Sequence, residues 1–87
     1  MSRIPSGPYP FAVLREDGTP LALVKHGEDA AALVSVAGEG AYVVPADESG
    51  AILPTVVLYR EGADGVAGDS YDEAALVMRR RAAKAGL

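Results

Sequence analysis

The residues best suited to chemistry surround the single histidine of the chain. His26 is followed closely by Glu28 and Asp29. Imidazole and carboxylate groups bind metals and carry protons, so these three residues are the first candidates for a metal site or a general base. A structural zinc site needs a closed set of four ligands, which one histidine and two adjacent carboxylates do not supply. The pattern is therefore more typical of a solvated turn.

The other polar residues form no catalytic or ligand-binding motif. No serine lies in a nucleophile elbow, and no glycine cluster has the spacing of a phosphate loop. Asp64 and Asp69 do not match the spacing of a calcium loop. The chain has no cysteine, so disulfides and thiolate chemistry are excluded. We therefore predict that the protein is not an enzyme and uses no cofactor or metal.

The basic residues cluster at Arg79, Arg80 and Arg81. Consecutive helical positions lie 100° apart, so these side chains would fan over about 200° of a helix instead of forming one basic stripe. We expect them to complement the helix dipole and to form salt bridges with the acidic loop that precedes the helix; a subunit contact is the alternative.

Charge and composition disfavour nucleic acid and membranes as partners. The formal charge is −4, and the chain lacks the asparagine and glutamine that commonly read adenine. The longest apolar run, residues 30–37, is too short to span a bilayer, and the first residues lack the apolar region of a signal peptide. The resulting expectation is a soluble, cytoplasmic protein.

Proline spacing predicts that residues 1–10 form an extended arm. Three prolines in this segment restrict φ and remove amide donors, which disfavours a helix. The arm either frays or lies on a neighbouring subunit or partner, where aromatic side chains would supply anchors. Residues 11–87 would then form a single domain. The residues predicted to contact a partner are Pro5, Pro8, Tyr9, Pro10 and Phe11.

The next segment carries a hairpin signal. Asp17 and Gly18 lie between two apolar runs, which is typical of a tight β-turn. Pro20 cannot donate to a ladder, so we expect it at an open edge or at the start of its strand. A two-residue loop would place four apolar side chains on one face through the pairs Ala12–Leu23 and Leu14–Leu21.

Three further segments are predicted to be strands. Residues 30–36 are interpreted as a strand because Val34 and Val36 disfavour a helix, although a short helix capped by Asp29 is the alternative. Residues 41–44 form another strand that ends at Pro45. Residues 52–60 are apolar on both faces, which predicts the central strand of the sheet, covered on both sides.

The C-terminal segment predicts a helix over about residues 71–85. Ser70 and Glu73 have the spacing of a capping box, and Gly86 is a typical residue after a helix end. The predicted fold class is thus α+β and mostly β, a small antiparallel sheet or barrel of about five strands with one C-terminal helix. At 87 residues the core is marginal, so a partner subunit would add stability.

One segment in the middle of the chain and two in its second half carry a family resemblance. They are Tyr42-Val43-Val44-Pro45 with the acidic turn after it, residues 55–62, and the alanine-rich end at residues 82–87. In this order they resemble the bacteriophage head decoration proteins, the capsid-stabilising family typified by the lambda decoration protein. Family members often carry a Gly-Ile-Leu type stretch before the last strand, for which residues 51–53 are a partial substitute.

The resemblance implies a non-enzymatic virion protein with the major capsid protein as its partner. It also implies homo-oligomers, trimers among them, at symmetry points of an icosahedral shell, with the N-terminal arm on the capsid. The alternative is a small acidic regulatory or inhibitory module, of the antitoxin or anti-defence type, that binds a basic protein. Its candidate contact residues are Asp47, Glu48, Glu61, Asp64 and Asp69.

Overall fold

The computed structural model describes residues 11–46, 51–64, 66 and 70–86. They form a four-stranded sheet of order β2-β1-β3-β4, in which neighbouring strands are antiparallel, and two helices. This confirms the predicted α+β class with its antiparallel sheet. The elements in chain order are β1 (Phe11–Leu14), β2 (Pro20–Val24), α1 (Gly27–Ala37), β3 (Tyr42–Pro45), β4 (Tyr59–Arg60) and α2 (Tyr71–Lys84).

β1 lies inside the sheet and supplies side chains to both of its faces. Phe11 and Val13 point to the side that packs against both helices, whereas Ala12 and Leu14 point to the other side. All four side chains are buried. The second face is covered by part of the segment before β4, which contributes Ile52 and Val57. The sheet is therefore enclosed between a helical layer and an irregular segment.

The hairpin between β1 and β2 has a longer loop than the predicted two residues. The Arg15 N–H donates to Thr19 O at 2.9 Å and the Gly18 N–H to Arg15 O at 2.8 Å, so residues 16–18 form the loop. Gly18 has φ +91°, as a turn of this type requires at its last position. Ala12 pairs with Leu23 as predicted, but a bulge follows and Leu14 pairs with Pro20 instead of Leu21.

Replacement of Gly18 tests this turn. Gly18→Val is expected to destabilise the fold by about 1–2 kcal/mol, because a β-branched residue is strained at positive φ. Gly18→Asn should cost less, since asparagine tolerates the left-handed region. Chemical denaturation of both variants measures the difference. Equal destabilisation by valine and asparagine would show that backbone conformation does not explain the effect.

The segment 30–36 is a helix, so its prediction as a strand was wrong. It belongs to α1, in which His26 is the N-cap and Asp29 lies in the first turn. Ala30, Ala31 and Val34 are buried at helical spacing against the core. The site where a Gly27 Cβ would stand is only 3.0 Å from Ala75 Cβ, so the start of α1 lies close against α2. This packing outweighs the modest strand preference of two valines.

The prediction that residues 52–60 form the central strand was also wrong. Only Tyr59–Arg60 joins the sheet, as the edge strand β4, while Ile52 forms an isolated bridge with Ala46. The apolar residues of the segment do serve two faces, because Leu58 packs in the helical-side core and Val57 on the opposite side. The segment runs irregularly beside β3, to which it is joined by the hydrogen bonds from the Leu53 N–H to Pro45 O and from the Leu58 N–H to Val43 O.

α2 confirms the predicted C-terminal helix. It spans Tyr71–Lys84 and is followed by Gly86 at φ +85°. Ser70 is the N-cap, but its side chain makes no capping hydrogen bond, so the predicted capping box does not form at these described residues. Four of its side chains are buried at helical spacing along one face. The buried residues are Ala74, Ala75, Met78 and Ala82.

Candidate interaction surface

The strand order leaves β2 and β4 at the two edges of the sheet. An edge strand presents backbone N–H and C=O groups that have no partner within the sheet, and such groups template pairing with another chain. The two edges differ in whether side chains of the same chain bind these backbone groups. That difference determines which edge is available to a partner.

The β4 edge is covered by an ion pair from within the chain. The Arg60 N–H donates to Asp64 Oδ2 at 2.8 Å, and Arg81 Nη1 donates to Leu58 O at 3.4 Å. The two side chains also bind each other, because Arg81 Nη2 donates to Asp64 Oδ1 at 2.6 Å and Nη1 to Oδ2 at 3.1 Å. This Asp64–Arg81 ion pair joins α2 to β4 and satisfies backbone groups that would otherwise face solvent.

The environment of Asp64 lowers its pKa. Burial of the carboxyl group acts to raise the pKa, but hydrogen bonds from Arg81 and from the Arg60 N–H, with the charges of both arginines, outweigh it. The Asp64 side chain is 11% exposed. The carboxylate is therefore held ionised by groups of its own chain and is not a free ligand for a partner.

The Arg60 side chain makes two further contacts next to the β4 edge. The Arg60 guanidinium lies 4.7 Å from the centre of the Tyr42 ring, and Arg60 Nη1 donates to Gly40 O at 3.2 Å. Burial raises the pKa of the neighbouring Tyr59, as do the charges of Glu61 and Asp64. The contacts of Arg60 hold β3 and β4 together.

The β2 edge is open along the described residues. Leu21 and Leu23 are large apolar residues with 38% and 52% of their surface exposed. Polar residues flank them, with Asp17 and Thr19 before the strand and Lys25 after it, all exposed. The Thr19 N–H donates to Asp17 Oδ1 at 2.9 Å, which fixes the carboxylate beside the start of the strand. This β2 edge is the candidate interaction surface.

The residues predicted to bind a partner fall into two groups. Pro5, Pro8, Tyr9 and Pro10 lie outside the described residues. Phe11 is the first residue of β1, 9% exposed and part of the core, so its side chain is not available as a surface anchor. The prediction of a partner-binding arm therefore concerns the residues before β1.

The acidic residues predicted for the alternative regulatory function differ in where they lie. Asp64 belongs to the internal ion pair and Glu61 is half-buried, whereas Asp47, Glu48 and Asp69 lie outside the described residues. The predicted salt bridge between the arginine cluster and the acidic loop is confirmed at Arg81. Arg79 and Arg80 are exposed.

The remaining candidates for chemistry are poorly placed for it. His26 precedes the first turn of α1, and no group of three or more acidic, histidine or cysteine side chains within the described ranges could hold a metal ion. An open depression of about 440 Å³ at the start of α2 is lined by Ser70, Tyr71, Asp72 and Glu73. Its two carboxylates would repel the anions that a helix N-terminus otherwise attracts.

Sequence reasoning identified the edge but not its exposure. Pro20 does begin the edge strand β2, as its missing donor predicted. Leu21 and Leu23 were expected to share one apolar face with Ala12 and Leu14, yet Leu21 and Leu23 are exposed whereas Ala12 and Leu14 are buried. No local signal in the sequence indicates this exposure, because it depends on which strands pair.

Comparisons with protein-family models, curated proteins and solved structures give no match to the chain. Among the helices that the structure describes, none has the length and apolar character needed to cross a membrane.

Proposed function

We propose that the chain is a non-enzymatic structural protein that binds and stabilises a bacteriophage head shell, with the major capsid protein as its partner. The observation that carries this proposal is the arrangement of segments that resemble head decoration proteins. In the fold, Arg81 at the end of α2 binds the Leu58 carbonyl in the segment before β4. Arg81, which directly precedes the resembling segment at residues 82–87, thus lies against the resembling segment at residues 55–62.

The surface of the described residues supports a role in protein contact. The β2 edge offers exposed leucines and flanking charges, and an aliphatic patch rimmed by polar groups is typical of a protein-binding site. The other edge is closed by the Asp64–Arg81 ion pair. These features suit a small rigid domain that binds other proteins.

In this proposal, residues 1–10 contact the shell. Phe11 lies in the core opposite Val24 and Pro45, so it secures the point at which this segment joins the domain. Tyr9 is the aromatic anchor, and Pro5, Pro8 and Pro10 limit the conformations that must be ordered on binding.

Binding to shells assembled from the major capsid protein of the same genome tests the proposal. The purified chain is expected to sediment with these shells and to increase their resistance to heat and low salt. Tyr9→Ser should weaken binding while the melting temperature of the free protein stays unchanged. Val36→Ser is the matched control, because Val36 is an 84% exposed apolar residue of α1 outside the arm.

Three results would contradict the proposal. The chain could fail to bind both expanded and unexpanded shells, or Tyr9→Ser and Val36→Ser could bind equally well. A genome that encodes no capsid protein would also exclude this function. Capture of one stoichiometric basic host protein would instead favour the acidic regulatory module.

A further inference from the structure

We infer that α2 pairs with α2 of a second copy of this chain, antiparallel and about a two-fold axis at Leu76. The two helices would meet through the solvent-facing side of α2, which carries one exposed leucine between acidic and basic residues. This inference concerns a contact between copies, and it does not depend on the shell-binding function proposed above.

The solvent-facing side of α2 lies opposite its buried side. Successive residues of an α-helix are 100° apart, so Leu76 lies about 160° around the helix from buried Met78. A leucine in this position points away from the core of its own chain, and 40% of its surface is exposed. An apolar contact at Leu76 therefore has to come from another molecule.

Charged residues flank Leu76 on the same side of the helix. Asp72 and Glu73 lie one turn before it, Arg79 and Arg80 lie one turn after it, and all four are exposed. Each acidic residue is seven positions from its basic counterpart, whereas neighbours on a helix surface are three or four positions apart. Within the described part of the chain, none of the four forms an ion pair, so their charges remain available to a partner.

This row of charges is complementary to itself when one helix is reversed. Around the helix, Glu73 and Arg80 lie on one flank of Leu76, and Asp72 and Arg79 lie on the other. A two-fold axis at Leu76 keeps each flank together. Glu73 then meets Arg80 of the second copy, and Asp72 meets Arg79 of the second copy. The axis repeats both contacts, which gives four ion pairs around the two leucines.

The same charges disfavour a parallel pair of helices. In a parallel pair the acidic turns of the two copies would lie side by side, as would the basic turns, and like charges would repel. An antiparallel pair also places the positive end of each helix dipole beside the negative end of the other. Charge therefore selects both a second copy as the partner and the direction of its helix.

The depression at the start of α2 is consistent with this arrangement. It is open, has a volume of about 440 Å³ and is lined by Ser70, Tyr71, Asp72 and Glu73. Its two carboxylates attract a cation, and a guanidinium group donates several hydrogen bonds to carboxylates. In the antiparallel pair, the exposed arginines of the second copy lie at this depression.

The contact is small, so the dimer should be weak. A single pair of helices buries less surface than the about 1,200–2,000 Å² of a standard protein interface. Exposed ion pairs contribute little each and are screened by salt. We expect a dissociation constant on the order of 100 μM at low ionic strength, with the chain monomeric at low micromolar concentration.

The oligomeric state of the full chain is the direct test. Sedimentation from about 10 μM to about 1 mM should show a species of twice the 8.9 kDa chain mass that increases with concentration. Because the contact relies on exposed charges, this species should decrease at high salt.

Charge reversal tests which residues meet. Glu73→Arg and Arg80→Glu should each raise the dissociation constant by about tenfold or more, because each places two like-charge contacts in the homodimer. An equimolar mixture of the two variants should recover the dimer, since the mixed pair brings opposite charges together at both contacts. Damage to the fold of either variant would not be repaired by mixing.

Glu16→Arg is the matched control for charge reversal. Glu16 is an exposed carboxylate in the loop between β1 and β2, and its replacement changes the net charge by the same amount as Glu73→Arg. This variant should dimerise like the native chain.

A disulfide tests the position of the axis. The native chain has no cysteine, so Leu76→Cys introduces the only thiol. Packed helices have axes about 8–10 Å apart and Cα atoms about 2.3 Å from each axis, so facing residues have Cα atoms about 5 Å apart. A disulfide can span this distance. Oxidation should link Leu76→Cys covalently, whereas Val36→Cys, at an exposed position of α1, should remain largely unlinked at the same concentration.

The results that overturn the inference are distinct from those that overturn shell binding. A chain that stays monomeric at millimolar concentration, or that forms trimers alone, excludes the two-fold pairing. A mixture of Glu73→Arg and Arg80→Glu that stays monomeric would place the contact elsewhere, as would equal losses in Glu73→Arg and Glu16→Arg. Equal linking of Leu76→Cys and Val36→Cys would exclude an axis at Leu76. Shell binding is measured separately, so either proposal can fail while the other stands.

Discussion

Leu58→Ala is expected to destabilise the folded chain by about 2–5 kcal/mol, the usual cost of removing a large buried aliphatic side chain. Leu58 has no exposed surface and packs in the core between the helices and the sheet. Its backbone also joins β3 through the Val43 carbonyl. A domain of 87 residues has only a small margin of stability, so this loss should unfold much of the population.

Chemical denaturation followed by far-ultraviolet circular dichroism measures this effect. Val36→Ala is the control, because Val36 is 84% exposed and its truncation should change the free energy of unfolding by less than about 0.5 kcal/mol. A midpoint for Leu58→Ala that matches the control would show that the segment before β4 does not pack as described.

The second large effect is expected from loss of the Asp64–Arg81 ion pair. Asp64→Ala removes the acceptor of the Arg60 N–H and the partner of the Arg81 guanidinium. A partly buried donor left without an acceptor costs about 1–3 kcal/mol, and the connection of α2 to β4 is lost with it. Asp72→Ala is the control, because Asp72 is an exposed carboxylate of α2 outside this ion pair.

The same ion pair predicts how stability depends on pH. The pKa of Asp64 in the folded chain lies below its ordinary value of 3.8. The stabilisation is therefore complete above the unfolded-state pKa and is lost as the pH falls through the lower folded-state pKa. The free energy of unfolding of the native chain should decrease with acidification over this range.

Asp64→Asn should flatten this acid dependence. Part of it should remain, because hydrogen bonds donated by the Thr19 side chain and N–H lower the pKa of exposed Asp17 as well. Asp72→Asn, which removes an exposed carboxylate outside the ion pair, is the matched control. If Asp64→Asn and the native chain lose stability in parallel, Asp64 is not held ionised by its arginine partners.

The features predicted correctly depend on residues close together in the sequence. The apolar spacing and the final glycine of α2 lie within the helix itself or next to it, so its extent could be predicted. The same holds for the hairpin, although its loop is one residue longer because Gly18 occupies the left-handed position after Asp17. The salt bridge of Arg81 followed from the acidic loop that precedes its helix.

The wrong predictions concern segments whose environment is supplied by distant residues. In residues 30–36, two valines suggested a strand, but the helix buries Ala30 and Val34 against the core. For residues 52–60, apolar residues on both faces suggested the centre of a sheet, whereas the segment runs irregularly beside β3 at the edge and contributes to two separate clusters. Periodicity records which residues are buried but not which element covers them.

For the interaction surface, too, some features could be predicted from the sequence and others depend on the tertiary structure. The composition makes the chain acidic, and the missing donor of Pro20 was enough to predict an edge. The strand order is what leaves Leu21 and Leu23 exposed on β2 while Asp64 and Arg81 close the β4 edge. Strand order depends on pairing between residues far apart in the chain, and local propensity carries no information about that pairing.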